Sequence, residues 1–206
     1  DTDVVRYGAI TSFDEIVWEQ KSDYSFKEAL LPVSDTVLYF TESTAKLPEA
    51  PKKRLIFLRA CELNALRRLD EIYLHNGPED YYYKRVREEA KFILMGCSHS
   101  FESCFCVSMG TNQAQGYDGY AHLSAQGLYL DLTDAQLASY ADNISVPQAS
   151  EEIQYVTQNE EQVPIPRQLP QDIASHPVWQ EYSGRCIGCG RCNFVCPTCT
   201  CFSMQD

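Results

Sequence analysis

Near the carboxyl end of this 206-residue chain, Cys186-Ile-Gly-Cys189-Gly-Arg-Cys192 runs on into Asn-Phe-Val-Cys196-Pro197. Thiols at these spacings, closed by a proline, form the bacterial ferredoxin run, whose thiolates hold a [4Fe-4S] cube. A cube takes sulfur ligands from several directions, so the run must curl around it. Gly188 and Gly190 supply the unusual dihedrals for that wrap, and backbone N–H groups aimed inward stabilise the cluster sulfurs. Pro197 then fixes φ and turns the chain away, which points Cys196 elsewhere. In two-cluster ferredoxins that fourth cysteine ligates the other cluster; the alternative is that Cys186, Cys189, Cys192 and Cys196 share one cube. Zinc is the competing metal. Its sites usually separate two Cys-x2-Cys pairs by about a dozen residues or more, whereas these four cysteines fall within eleven positions.

A second group of thiols is Cys61, Cys97, Cys104 and Cys106. The elements that must position them are legible. Arg54-Leu-Ile-Phe-Leu-Arg-Ala60 is an apolar run of strand length, and Leu63, Leu66, Leu69 and Tyr73 follow at helical spacing. Asn76-Gly-Pro78 is a turn, Tyr81 to Ala90 a polar helix, and Lys91-Phe-Ile-Leu-Met-Gly96 a second strand. Strand, helix, helix, strand predicts two parallel strands joined by a right-handed crossover. Cys61 follows the first strand and Cys97 the second, so parallel pairing brings both thiols to the same, carboxyl end of the sheet, where α/β proteins bind ligands. Neighbouring strands lie ~4.8 Å apart, within reach of one small object. Cys104-Phe-Cys106 is expected in a curled loop if both of its thiols are ligands. The reading is a second cubane held by a globular fold. Its alternatives are a structural zinc, or Cys61 and Cys97 as buried small hydrophobes with Cys104 and Cys106 incidental. His99, inside the loop, is a ligand or a solvent-facing linker residue, the latter preferred.

Downstream, Gly127-Leu-Tyr-Leu-Asp-Leu132 alternates as a half-buried strand, Asp134 to Tyr140 is a short helix and Ile153 to Val156 another strand. Val163-Pro-Ile-Pro-Arg-Gln-Leu-Pro170 is a stiff connection and a natural boundary. Gln171 to Tyr182 reads as a helix interrupted near Pro177, with Trp179 packed in a core. Of Tyr81, Tyr82 and Tyr83, core or interface packing is expected. The domains expected are thus 1–162, an α/β (α+β) unit with a partly parallel sheet holding the four-Cys site; 163–184, a Pro-rich linker and helix; and 185–206, a small, truncated ferredoxin-like iron-sulfur module.

Composition fits a folded chain with a real core: 44% of residues are hydrophobic and 22% charged. No stretch is long or apolar enough for a membrane span and no signal-peptide pattern opens the chain, so a soluble, cytoplasmic protein is expected. The start at Asp1 without a Met and the abrupt end at Asp206 read as boundaries of a processed or cut chain. Ten cysteines, unevenly spread, do not make the disulfide scaffold of a small secreted domain. The net charge of -12 makes nucleic acid a poor candidate partner, because phosphate binding needs a basic face. Ten of the seventeen Lys and Arg lie between Lys52 and Lys91, while residues 113–184 hold ten acids against Arg167 alone. That polarity suits docking to a partner, or is a solvated acidic surface. No Gly-x-Gly-x-x-Gly, Walker loop or hydrolytic triad is present.

Three longer stretches carry a resemblance. Arg59-Ala-Cys-Glu-Leu-Asn-Ala-Leu-Arg-Arg-Leu-Asp70, Cys97-Ser-His-Ser-Phe-Glu-Ser-Cys-Phe-Cys-Val-Ser-Met-Gly-Thr-Asn112, and Arg185-Cys-Ile-Gly-Cys-Gly-Arg-Cys through Cys196-Pro-Thr-Cys-Thr-Cys201 resemble the iron-sulfur electron-transfer component of anaerobic sulfite reductase. Thr2-Asp3, Ile16-Val-Trp18 and Leu30-Leu-Pro32 extend the likeness. It implies a chain that passes electrons from a flavoprotein oxidising NADH to a siroheme subunit reducing sulfite to sulfide. The beta subunits of cytoplasmic nickel-iron sulfhydrogenases are similar, sharing the Cys-Phe-Cys loop and the ferredoxin run; Cys97 to Asn112 and Pro197 to Cys201 read closer to the sulfite reductase pattern. The family pattern includes a longer N-terminal lead and a second ferredoxin run downstream, which would serve Cys196 and complete the first cluster. Cys199 and Cys201 stay unassigned, as ligands, neighbours of ligands, or buried thiols. The resulting expectation is an oxidoreductase subunit with no turnover of its own, working as an outer-sphere relay through [4Fe-4S] clusters. Their potentials would lie within roughly -700 to +450 mV, drawn down by acidic surroundings. The rival class is a colourless, zinc-dependent assembly module.

Overall fold

The computed structural model describes residues 4–31, 34–141 and 151–200. Two single 3₁₀ turns, Phe13–Glu15 and Phe26–Ala29, precede a short antiparallel hairpin of β1 (Tyr39–Phe40) and β2 (Ala45–Lys46). The main sheet then begins with β3 (Arg54–Leu58), followed by α1 (Ala60–Asp70), α2 (Tyr81–Glu88) and β4 (Ala90–Met95). It is completed by β5 (Gly119–Ser124) and β6 (Gly127–Leu132), in the order β3-β4-β5-β6. β3, β4 and β5 run parallel and β6 returns antiparallel to β5. The chain is therefore a mixed α/β protein with a partly parallel four-stranded sheet. After α3 (Ala135–Ala141) come a 3₁₀ turn at Ile173–Ser175, α4 (Val178–Arg185) and α5 (Arg191–Val195).

The core follows from two periodicities. Ile56 and Leu58 of β3, with Phe92 and Leu94 of β4, face one side of the sheet, where Ala60, Leu63, Leu66 and Leu69 of α1 recur at helical spacing and cover them. Burying each such large side chain is worth about 1.5–3 kcal/mol. Phe26 and Leu30 from the N-terminal segment close the same cluster. Ile93, also fully buried, points from β4 to the opposite face.

Carboxylates fix the element ends. Glu62 accepts the Arg59 backbone N–H at 2.8 Å where α1 begins, and Asp80 accepts the Tyr83 N–H at 2.8 Å where α2 begins. Asp70, at the end of α1, accepts the Tyr83 hydroxyl at 2.7 Å and the Arg87 guanidinium at 3.0 Å, which clasps α1 to α2. α1 runs on into a wider π-type turn over Glu71–His75.

Most expected elements are present, and the differences have local causes. Ile153 to Val156 lies alongside β4 and β5 but joins no ladder: Cys97 N–H donates to Gln154 O at 3.0 Å, while the Gln154 N–H goes to the Tyr120 hydroxyl at 2.9 Å. Trp179 is not in a core; its ring is 53% exposed, and its indole N–H donates to the Ile173 carbonyl across the turn that precedes α4. The three consecutive tyrosines divide by helical geometry: Tyr83 is buried, Tyr82 reaches the Val37 carbonyl, and Tyr81 is exposed. Among the described residues no helix is long and apolar enough to cross a membrane.

Candidate functional site

Parallel register places the first two thiols. Leu58 pairs with Leu94, and Cys61 and Cys97 each lie three residues further along. Cys61 does not sit on a strand end, as the sequence suggests, but in the first turn of α1, two residues after Arg59. Beyond Cys97 the chain from 98 to 118 is a helix-free connection to β5, and a series of tight turns there curls Cys104 and Cys106 back. Ser103 takes φ +57°, the left-handed region a non-glycine residue seldom occupies, at one of these turns.

The four thiols sense one another. Crowding by surrounding protein pushes the Cys61 thiol up to about 12, and the Glu62 carboxylate and the thiols of Cys106, Cys97 and Cys104 add to it in that order. Cys97 is likewise raised, first by burial and then by Cys106 and Cys104, against the opposing pull of the Arg59 guanidinium that hydrogen-bonds it. None of the four is a fully buried hydrophobe: Cys61 is exposed and the other three are intermediate. His99 lies to the outside, half exposed, 3.6 Å from Glu19 and stacked edge-on against Phe101.

Polar side chains from distant segments hold this loop. Arg59 is 9% exposed; its guanidinium donates to the carbonyls of Trp18 at 2.6 Å and Gln20 at 3.2 Å and lies 4.5 Å over the Phe101 ring. Lys21 donates to Glu102 O and the Ser103 hydroxyl. Asn159, 5% exposed, accepts the Val107 N–H at 2.8 Å, donates to the Ser100 hydroxyl at 3.0 Å, and has its amide nitrogen 3.7 Å from Cys106 Sγ. Asn64 on α1 donates to Ala60 O and across to Gln113 O. Neither Arg59 nor Asn159 stood out as functional in the sequence. The one signal available was that Arg59 is a charge interrupting an apolar run.

The ferredoxin run lies elsewhere on the surface. Gly188 and Gly190 adopt φ +69° and +70°, which turns the chain twice before α5. Cys186, Cys189 and Cys192 are exposed, and Cys196 and Cys199 intermediate. Asn193 gathers part of the group: its side-chain oxygen accepts from Cys199 Sγ at 3.7 Å and Cys192 Sγ at 3.9 Å. Burial opposes ionisation of Cys196, but hydrogen bonds from the Thr198 hydroxyl and backbone and from the Cys199 thiol and backbone hold its thiol below the ordinary value. The structure thus brings Cys192 and Cys199 to Asn193, with Cys196 beside Cys199, while Cys186 adjoins Trp179 and Tyr182. Cys201 lies outside the described residues.

This segment rests on the N-terminal one. Lys27, 9% exposed, donates from its ammonium to the carbonyls of Asn193 and of Cys199, the latter at 3.0 Å. Arg191 lies 5.1 Å over the Tyr24 ring, reaches its hydroxyl at 3.4 Å, and stands 3.9 Å from Asp23.

Among the described residues no three or more His, Cys, Asp or Glu side chains close on one point as the ligands of a single ion would. A cubane makes a different demand, one thiolate to each of four irons. Thiol chemistry, mutual proximity, turned glycines and N–H donors to Cys196 sulfur all suit that group.

No protein-family model matches the chain, and no solved structure matches it. Among curated proteins it is similar to sulfhydrogenase 2 subunit beta of Pyrococcus furiosus, with 25% identity over an aligned length of 224 residues. The match takes in 98% of this chain and 66% of that protein, so the chain spans just under two thirds of the relative's length.

Proposed function

We propose that this chain is an iron-sulfur electron-transfer subunit of a multi-subunit oxidoreductase, binding [4Fe-4S] clusters and turning over no substrate itself. The observation that supports the reading is that the thiols of Cys61, in the first turn of α1, and of Cys97, Cys104 and Cys106, on the loop after β4, act on one another beyond the carboxyl ends of β3 and β4. Cys186, Cys189 and Cys192, with Cys196 or Cys199 from the turn after α5, hold a second cluster; Cys199 joins the candidates because its thiol lies beside Cys196. Each cluster accepts one electron at a time, and direction follows potential differences, 59 mV being a tenfold bias for one electron.

The motifs of Cys97 to Asn112 and Pro197 to Cys201 favour a complex in which a flavoprotein oxidising NADH supplies electrons and a siroheme subunit spends them on sulfite. The similarity to a sulfhydrogenase beta subunit favours equally a nickel-iron hydrogenase as the redox partner. On either reading the chain is a soluble relay of the cytoplasm. The subunits that co-purify with it distinguish them, by siroheme absorbance in one case and nickel content in the other.

The relay itself is tested by anaerobic purification with iron and acid-labile sulfide measured per chain. About eight irons is the expected result. About four irons, kept in a Cys186/Cys189/Cys192 triple serine variant, leaves only the site at the sheet. Zinc without sulfide overturns the reading.

A further inference from the structure

Lys27 combines three features that rarely coincide. It is 9% exposed; its ammonium reaches two main-chain carbonyls, of Asn193 and Cys199; and no carboxylate lies at ion-pair distance from it among the described residues. The acids nearest in sequence are engaged, Glu28 with Arg6 at 2.8 Å and Asp23 with Arg191. A buried cation with no anion is costly, because two carbonyl dipoles replace only part of the hydration it gave up. An ammonium also has three donors, of which two are accounted for.

What the charge faces decides its meaning. Asn193 immediately follows Cys192, and the Cys199 carbonyl belongs to the turn that wraps Cys196, so both acceptors lie on the cysteine segment rather than on the domain that carries Lys27. Once four thiolates bind a cubane the assembly is an anion in both redox states, more so after taking up an electron. A fixed cation beside it favours the reduced form.

We infer that Lys27 is the counter-charge of the carboxyl-terminal cluster: a positioning residue that docks the cysteine segment on the 3₁₀ turn at Phe26–Ala29 and raises that cluster's reduction potential. The inference rests on the proposed cluster at this segment. It gives the carboxyl-terminal site a buried cation of its own, as Arg59 beside Cys97 is at the sheet site.

The test is a dithionite redox titration of the full chain, purified without oxygen, with the paramagnetic signal of each cluster followed separately. A Cys189→Ser variant identifies the signal that belongs to the carboxyl-terminal site. Lys27→Met should make that cluster about tenfold harder to reduce, a fall of about 59 mV, with the signal from the Cys61 site unmoved. Lys27→Arg, which keeps the charge, should restore the wild-type value. A Met variant that keeps the wild-type potential, or shifts both clusters equally, overturns the assignment. If Lys27→Met loses the cluster, Lys27→Arg decides: retention at the wild-type potential supports it, and loss or an equal fall overturns it. A wild-type chain with about four irons, all retained in Cys189→Ser, fails the cluster reading of this segment before potentials are compared, and the inference with it.

Discussion

Cys61, in the first turn of α1, and Cys97, on the loop that leaves β4, each lie three residues beyond one member of the Leu58–Leu94 parallel pair. Sheet register therefore sets where both thiol-bearing segments leave the sheet. A disturbance that shifts β4 against its neighbours moves one thiol away from the other, without touching either cysteine.

Gly96 tests this directly. A Cβ there would lie 2.8 Å from the Tyr120 hydroxyl and 2.9 Å from the His122 ring, which Glu151 holds at 2.6 Å. Tyr120 in turn accepts the Gln154 N–H, whose residue accepts Cys97 N–H. Gly96→Ala should force this clasp apart and lower iron retention at the Cys61 site, read as iron per chain in a Cys186/Cys189/Cys192 serine background. Full iron content there would show that the loop adjusts independently of the strand.

Asn159→Leu removes the buried carboxamide and leaves the half-buried Val107 N–H, now satisfied at 2.8 Å, without its partner. The cost of such a group is about 1–3 kcal/mol, or roughly 2–4 °C in Tm per kcal/mol at this chain length. The fall should be accompanied by faster loss of iron to a chelator, since the same amide reaches Cys106. A Tm unchanged within about 1 °C would mean that solvent reaches Val107.

Thiol reactivity of the iron-free chain should divide the cysteines sharply. The thiolate is the nucleophile, so a lowered thiol reacts sooner as pH rises. Hydrogen bonds from Thr198 and Cys199 lower Cys196, whereas crowding by surrounding protein, the Glu62 carboxylate and the neighbouring thiols raise Cys61 to about 12. Iodoacetamide labelling followed by peptide mass spectrometry at pH 7–9 should find Cys196 modified well before Cys61. The reverse order would contradict the arrangement of both sites.

Asp134 gives a stability prediction with a definite sign. Its hydrogen bond to Lys91 at 2.7 Å, helped by the Leu137 and Gln136 N–H groups, lowers its folded pKa. A group depressed on folding stabilises above its unfolded value, about 3.9, and that contribution is lost as pH falls through the folded value. Asp134→Asn keeps the cap at α3 but removes the charge. The Tm difference between wild type and Asp134→Asn, measured on the iron-free chain, should be largest near neutrality and shrink on acidification towards pH 3. A difference that stays constant with pH would exclude the Lys91 contact as its source.

Much of this was legible because it is local in sequence. The apolar run at 54–58, the three-residue beat of Leu63, Leu66 and Leu69, and the strand at 91–95 specify β3, α1 and β4, and alternation at 127–132 specifies β6. β5 escaped notice because Gly119 opens it: Asp131 O and Ile93 crowd the place a side chain would take, so the strand lacks the usual β-branched signature. Ile153–Val156 had strand composition and did not become one, since its backbone groups found the Tyr120 hydroxyl and Cys97 N–H instead of a ladder.

The sequence by itself determined which thiols exist and how the ferredoxin run turns at Gly188 and Gly190, which depend on neighbours a few residues apart, and that β3 and β4 run parallel, which follows from the helical connection between consecutive strands. Tertiary structure alone decided which polar groups serve those thiols. Asn159 meets Cys106 across 53 residues and Lys27 meets Cys199 across 172. Such pairs leave no periodicity for a sequence to display: hydrogen bonds and charges act over a few ångströms in space, and only the packed chain brings these residues that near.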